Sequence, residues 1–217
     1  MKKITVFILM LTAFHNMFSV ETKKSSIKLE NQYLMIDGKI PVFYNKGKYI
    51  DDFSSRVNGG FKALMEMVKM ESTRNRLENP TNEDGKFILK SDFKKIENDF
   101  KIDSYLVKTF YYTGGPHGMM LEDGYNFKNG KEVFFGDIFR DNINYRGLIK
   151  QKVEEQIIKY GGDLYYADID IPDEDYSFYF KDDSLVILFN PYTLASYEAG
   201  IITFEIPVSE ISDFMKI

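Results

Sequence analysis

Apolar positions along the chain change period several times, and each change predicts an element. Residues Phe53, Val57, Phe61, Leu64 and Val68 recur at intervals of four, four, three and four. That is one face of an amphipathic helix running from Asp51 to about Glu71, with Asp51 or Asp52 as its cap. Gly59-Gly60 inside it predicts a break or a close approach to the sheet, since each glycine costs about 1 kcal/mol against alanine in a helix. Tyr145, Leu148, Ile149, Val153 and Ile157 mark a second amphipathic helix, capped by Asn142 or Asn144 and stopped by Gly161-Gly162. Elsewhere the period is two. Gln32–Ile36 and Ile40–Tyr44 flank Asp37-Gly38-Lys39 and predict a hairpin, with Asn45-Lys46-Gly47 closing it. Phe87–Lys90 and Asp99–Thr113 read as strands, and Ser91–Asn98 alternates less regularly between them. Ser177–Phe180 and Ser184–Phe189 pair across Lys181-Asp182-Asp183, and Ile201–Ile206 makes a last strand before a tail helix at Ser209–Phe214. Residues 21–30 and Thr73–Gly85 are polar and are expected to be a flexible lead and a loop.

The stretch Tyr111–Phe139 holds the densest turn chemistry. Gly114-Gly115-Pro116 ends an aromatic, β-branched strand, because proline lacks the donor a ladder needs and glycine permits positive φ. Gly118 adds a further joint, so His117 lies between special backbone positions. Asn129-Gly130 is a strong hairpin signal, since a type I′ turn needs positive φ at both central residues. Strands and helices do not alternate regularly. The expected fold is therefore α+β: a mainly antiparallel sheet with two main amphipathic helices, in two intimately packed subdomains, 28–117 and 118–217.

Composition sharpens this picture. Lys2 and Lys3, then an apolar run from Ile4 to about Phe14, then polar residues from Glu21, have the layout of a secretory signal peptide over residues 1–20. Ser19 can precede the cut, although Met17 is not the small residue expected two places earlier, and an uncleaved N-terminal anchor stays open. The expectation is a secreted or periplasmic protein with no membrane insertion after cleavage. Cysteine is absent, which removes disulfides, thiolate metal sites and cysteine nucleophiles. An exported chain without disulfides must be held by packing, and 19 Phe and 15 Tyr supply the material. Removing residues 1–20 takes two lysines and no acids, so the formal charge moves from −5 to −7. That speaks against nucleic acid as a partner and suits a basic one.

Catalytic patterns are missing. With His15 in the leader, His117 is the mature chain's one imidazole, which excludes two-histidine zinc sites. There is no G-x-S-x-G elbow, no Gly-x-Gly-x-x-Gly and no phosphate loop. Paired carboxylates could act on a glycan, but among 33 Asp and Glu some pair always looks suitable. Asp168, Asp170, Asp173 and Asp175 could face a hard cation, yet the spacing reads better as a solvated acidic loop. The chain is expected to be no enzyme, with no cofactor and no metal. His117 reads either as a corner residue bonding a backbone carbonyl or as an exposed contact residue. Tyr192 and Tyr197, in a loop, are candidates for a binding surface.

Two motifs carry a family resemblance. Gly114-Gly115-Pro116-His117-Gly118, followed by YNF-x-NGKEV-x-F-x-DIF, resembles the GGAHG-then-TGKEITLKDLF pattern of the RsiV-like family. Phe189-Asn190-Pro191-Tyr192 through Ala199-Gly200, then Phe204-Glu205-Ile206-Pro207, is similar to that family's FxPYEIAPYAAG and F.IPY segments. Pro116 stands for the usual alanine and Ser196 for the proline before Tyr197. The family includes the extracellular half of an anti-sigma factor that senses lysozyme, and its domains precede the catalytic domain of PdaC-type peptidoglycan deacetylases. An anti-sigma segment, an internal membrane helix, the deacetylase's metal histidines and its TFDDG-type motif are all missing. The resemblance implies a stand-alone exported domain pair of the cell envelope that binds a lysozyme-like protein or peptidoglycan fragments. It implies a binding surface at Gly114, Gly115, Pro116, His117 and Gly118 together with Asn190, Pro191, Tyr192 and Tyr197.

Overall fold

The structure, a computed structural model, describes residues 20–80, 85–160 and 176–216. The bulk of the expected leader, Gly161-Gly162 and the expected acidic loop 163–175 with its cation option lie outside these residues. A seven-stranded, strongly curled sheet is built from β1 (Val20–Glu30), β2 (Leu34–Asn45), β3 (Lys48–Tyr49), β4 (Phe87–Ile96), β5 (Asp103–Tyr112), β6 (Met119–Lys128) and β7 (Lys131–Glu132), in the order β1-β2-β4-β5-β6-β7 with β3 on β2. Its pairings are antiparallel except β2 with β4, whose crossover contains α1 (Asp51–Glu78). A second, three-stranded sheet orders β10 (Ile202–Pro207), β9 (Ser184–Phe189) and β8 (Ser177–Lys181) and carries α2 (Tyr145–Tyr160) on its far face. The result is the α+β architecture expected, in the sequence helix, sheet, sheet, helix.

Burial explains each layer. Phe53, Val57, Phe61 and Val68 of α1 face Ile36, Ile40, Phe43, Leu89, Tyr105 and Phe127 of the large sheet. Ile149, Val153 and Ile157 of α2 face Phe178, Phe180, Ile187, Phe204 and Ile206. Between the sheets, Leu106 meets Tyr179, Val186 and Leu188. Strand β9 is thus buried along its whole length, which is why it reads as a continuous apolar run rather than an alternating one. The layers are also joined by polar bonds. Ser104 Oγ donates to Asn126 Oδ1 at 2.7 Å, Asn126 Nδ2 donates to the Phe178 carbonyl at 2.8 Å, and Phe180 N–H donates to Ser104 Oγ at 3.1 Å. These side chains complete the open backbone edge of β8, which would otherwise be unpaired inside the protein.

Several local expectations change. Residues 21–30 are no flexible lead but most of β1, which borrows the edge of β2 for its hydrogen bonds. Asp37-Gly38-Lys39 is not a turn: β2 runs straight through it. Gly38 is there because a Cβ would lie 2.9 Å from ring carbons of Phe61 on α1, a close helix-sheet approach. Helix α1 continues to Glu78, past the expected end; Gly59-Gly60 does not break it, and a Cβ at either position would meet nothing. Ile50 occupies its N-cap, with Asp51 and Asp52 in the first turn, where their charge suits the helix dipole. For α2 the cap is Asn144, whose Oδ1 accepts the Gly147 N–H at 3.1 Å. The Asn129-Gly130 turn has φ of 55° and 76°, as a type I′ hairpin requires. The tail forms two 3-10 turns, Val208–Glu210 and Ser212–Phe214.

Asp123 on β6 is half-buried, and no ion pair to it is present among the described residues. Burial raises its carboxyl above the ordinary value of 3.8. A raised carboxyl favours the folded state in its protonated form, so that stability is present below pH 3.8 and lost as pH climbs through the folded value. Asp123→Asn is therefore expected to melt higher than the unaltered protein at pH 7, with the difference vanishing near pH 3.5. Thermal melts at the two pH values check this, and equal melts at pH 7 would count against it.

Candidate functional site

The corner after β5 and the loop after β9 meet on one edge of the molecule. Gly114 at φ 89° turns the chain, and a Cβ there would sit 2.9 Å from Phe87 Cζ, so the position needs glycine twice over. Gly118 lies against the Phe110 ring, and a Cβ would fall 3.0 Å from the Tyr111 carbonyl oxygen as well. Between them, Gly115, Pro116 and His117 are exposed.

The partner loop is pinned at both ends. Asn190 acts as a strand residue made of side-chain atoms: its Oδ1 accepts the Glu122 N–H at 2.8 Å and its Nδ2 donates to the Glu122 carbonyl at 3.1 Å. Seven residues on, Tyr197 donates its hydroxyl to the Gly118 carbonyl at 2.6 Å. Its ring stacks on His117 with centroids 3.6 Å apart and planes at 17°. Tyr192 stands 6.0 Å from the Tyr197 ring and is 51% exposed, with φ at 69°. A bulky residue in the left-handed region is held there by its surroundings, and such strain concentrates at functional surfaces.

All nine residues singled out from the sequence thus belong to two loops that touch. His117, Tyr197 and Tyr192 form a ridge of rings; Gly114, Gly118, Asn190 and Pro191 shape the backbone beneath it, and Gly115 and Pro116 cap the corner. His117 Nδ1 lies 3.3 Å from the Gly118 carbonyl oxygen, as the corner reading expects, and its ring stays exposed. Missed by sequence reasoning is the surface beside the ridge. Phe110, Met120 and the aliphatic parts of Lys39, Lys90 and Lys108 line a groove of about 400 Å³ next to Asp92. Lys39 pairs with Asp92 at 2.8 Å and Lys108 with Glu122. These positions alternate on β2, β4, β5 and β6 toward the face that the second sheet covers farther along, a signal legible only once that sheet's extent is known. No group of three or more His, Cys, Asp or Glu side chains suited to a metal occurs among the described residues. No helix there is long and apolar enough to cross a membrane.

A rigid α+β scaffold presenting aromatic rings on two pinned loops is the class of structure that fold and site define. Comparison with known families gives the particulars. Residues 27–120 match the family described as deacetylase PdaC, and residues 136–209 match DUF3298, a family described as of unknown function. The chain is thus similar to a PdaC domain over its first part and to a DUF3298 domain over its second, a pairing that fits a cell-envelope-associated domain. Among solved structures, a DUF3298 family member from Bacteroides fragilis is similar with a TM-score of 0.61 at 14% identity, over 92% of this chain and 94% of that one. A DUF3298 family protein from Pseudomonas aeruginosa is similar with a TM-score of 0.52 at 13% identity, over the same shares. At these identities the likeness is one of fold. No curated protein matches the chain.

Proposed function

We infer that the protein is an exported envelope component that acts by binding, and that its partner is a lysozyme-like muramidase held at the His117–Tyr197–Tyr192 ridge. The stacked, outward-facing rings carry this reading. Tyrosine offers a large contact area with few rotamers to freeze, and such residues dominate binding energy where they cluster. Fixing both loops by Asn190 and Tyr197 lowers the ordering cost on association. The acidic balance of the chain would draw in a basic enzyme. The same rings favour one other reading, a glycan module in which Tyr192 and His117 pack on sugar faces.

Calorimetry of the purified exported protein against a c-type lysozyme, at two salt concentrations and with soluble peptidoglycan fragments in parallel, separates the two. Saturable, salt-sensitive heat near one-to-one with lysozyme supports capture of a muramidase. Heat with the fragments alone moves the function to glycan binding, and silence in both overturns the reading. His117→Ala and Tyr192→Ala should each weaken binding by about tenfold, roughly 1.4 kcal/mol. Neither ring is part of a core, so both variants should melt within a few degrees of the unaltered protein. Unfolding by either change would make these residues structural instead.

A further inference from the structure

Around the groove beside Phe110 and Met120, charges stand in matched pairs with one exception. Lys39 bonds Asp92 at 2.8 Å, and Lys108 pairs with Glu122. The hydrogen bond from Lys39 lowers the Asp92 carboxyl below its ordinary value, so that pair stays ionised and closed. Asp37 and Lys90 are the exception. They face each other in register on the parallel strands β2 and β4, yet no ion pair joins them. Among the described residues the Lys90 ammonium has no partner. Asp37 reaches only the exposed Lys28, at 3.8 Å, and its Oδ1 is enclosed without a hydrogen bond. An exposed pair that long yields readily, whereas a buried acceptor left unpaired is costly and calls for a donor. Both groups line the groove of about 400 Å³, a volume within the range of small-ligand sites.

We propose that this groove binds short peptides with free termini, the α-carboxylate on Lys90, the α-ammonium on Asp37 and apolar side chains on Phe110 and Met120. A polyanion fits poorly, because Asp37, Asp92 and Glu122 would oppose it and only one ammonium of the groove is uncommitted. An uncharged apolar ligand would cover Lys90 and Asp37 and leave both without water or partner. A zwitterion answers each charge. Its carboxylate gains a charge-assisted hydrogen bond from Lys90. Its ammonium gives Asp37 the donor it lacks, since rotation about the soft terminal torsion of the carboxyl exchanges its two oxygens. Met120, 40% exposed, supplies a wall that adapts to apolar side chains of different shape. The inference does not rest on the reading of the ridge.

NMR titration of the purified exported protein with the dipeptide Leu-Leu, its N-acetyl form and its C-terminal amide tests this. The expected result is saturable binding of Leu-Leu near one-to-one, weakened at least tenfold by either block. Lys90→Gln should weaken the free dipeptide by about tenfold and leave the amide unchanged. Asp37→Asn should do the same to the free dipeptide and leave the N-acetyl form unchanged. A residue that only shaped the groove would move all three ligands alike, and that result would overturn its assignment. Both side chains reach solvent, so both variants should melt within a few degrees of the unaltered protein. Should either fail to fold, the three ligands on the unaltered protein decide. Absence of saturable binding, equal affinity for the blocked forms, or tighter binding of polyglutamate overturns the proposal. Tyr192→Ala should leave Leu-Leu binding unchanged, which tells failure of the ridge from failure of the groove.

Discussion

Gly124→Ala should lower the stability of the protein by about 3 kcal/mol, the upper end of what overpacking by a single methyl group brings. Gly124 lies on β6 where the two sheets come closest. A Cβ built there falls 2.6 Å from the carbonyl carbon of Phe178 and 3.2 Å from its nitrogen. These are backbone atoms of β8, so no rotamer change relieves the contact and the sheets must part. Parting them strains the bonds that seat β8 on the large sheet. Gly124 N–H donates to Ser177 Oγ at 2.9 Å, and the Ser104–Asn126 pair meets the Phe178 carbonyl and the Phe180 N–H close by. Each such bond is worth about 1 kcal/mol when made and more when a buried group loses its partner. For a chain of 217 residues the loss corresponds to a melting point lower by roughly 10 °C. Gly59→Ala provides the control, because a Cβ at that helical position meets nothing. It should hold or raise stability by up to about 1 kcal/mol. Denaturant titrations of both variants decide, and an unchanged midpoint for Gly124→Ala would mean that the sheets tolerate a wider spacing.

The parts of this fold legible in the sequence are those whose burial leaves a period. Phe53, Val57, Phe61 and Val68 announce α1 because only one face of it meets the sheet. The run Leu185–Phe189 announces a strand sealed on both sides. Strand β1 leaves no such trace. Apart from Val20 and Ile27 its side chains, Lys23, Lys24, Ser25 and Ser26 among them, do not pack on the core, and its conformation comes from pairing with β2. Gly38 shows the opposite error. Asp37-Gly38 carries a turn signal, but the glycine serves Phe61 of a helix that no local window contains. Helix α1 outruns its apolar pattern because Ser72, which ends the stripe, is buried as a polar residue and donates to the Tyr33 carbonyl at 3.4 Å. The site divides in the same way. Its glycines and tyrosines are visible as turn and loop residues, and the family resemblance pairs the two motifs. What brings them into contact is the Tyr197 hydroxyl on the Gly118 carbonyl, 79 residues away in the chain. The groove bordered by Lys90 and Lys108 depends on where the small sheet stops covering the large one, and neither sheet's local sequence states that.

Tyr197 should accordingly be the most sensitive position of the ridge, with Tyr197→Ala weakening partner binding by about 30- to 100-fold. The ring stacks on His117 and stands tilted by 34° to Tyr192 at 6.0 Å, while its hydroxyl ties one loop to the other. Removing it withdraws contact area and also releases His117 and Tyr192, so the partner must reorder both loops on binding. Central aromatic residues of this kind commonly account for 2 kcal/mol or more, about 30-fold at 1.4 kcal/mol per decade. Tyr197→Phe separates the two contributions. It keeps the stack and drops only the hydrogen bond, worth about 1 kcal/mol, so a loss of about fivefold is expected. Calorimetric titration of both variants with the partner of the unaltered protein gives the comparison, and thermal melts show whether the fold survives. Because Tyr197 lies in a peripheral loop, partly exposed and outside the cores, Tyr197→Ala should melt only a few degrees lower. Undiminished binding by a folded Tyr197→Ala protein would take the contact away from the ridge. The lysine-bordered groove beside Phe110 and Met120 would then be the surface to probe, by charge reversal at Lys90.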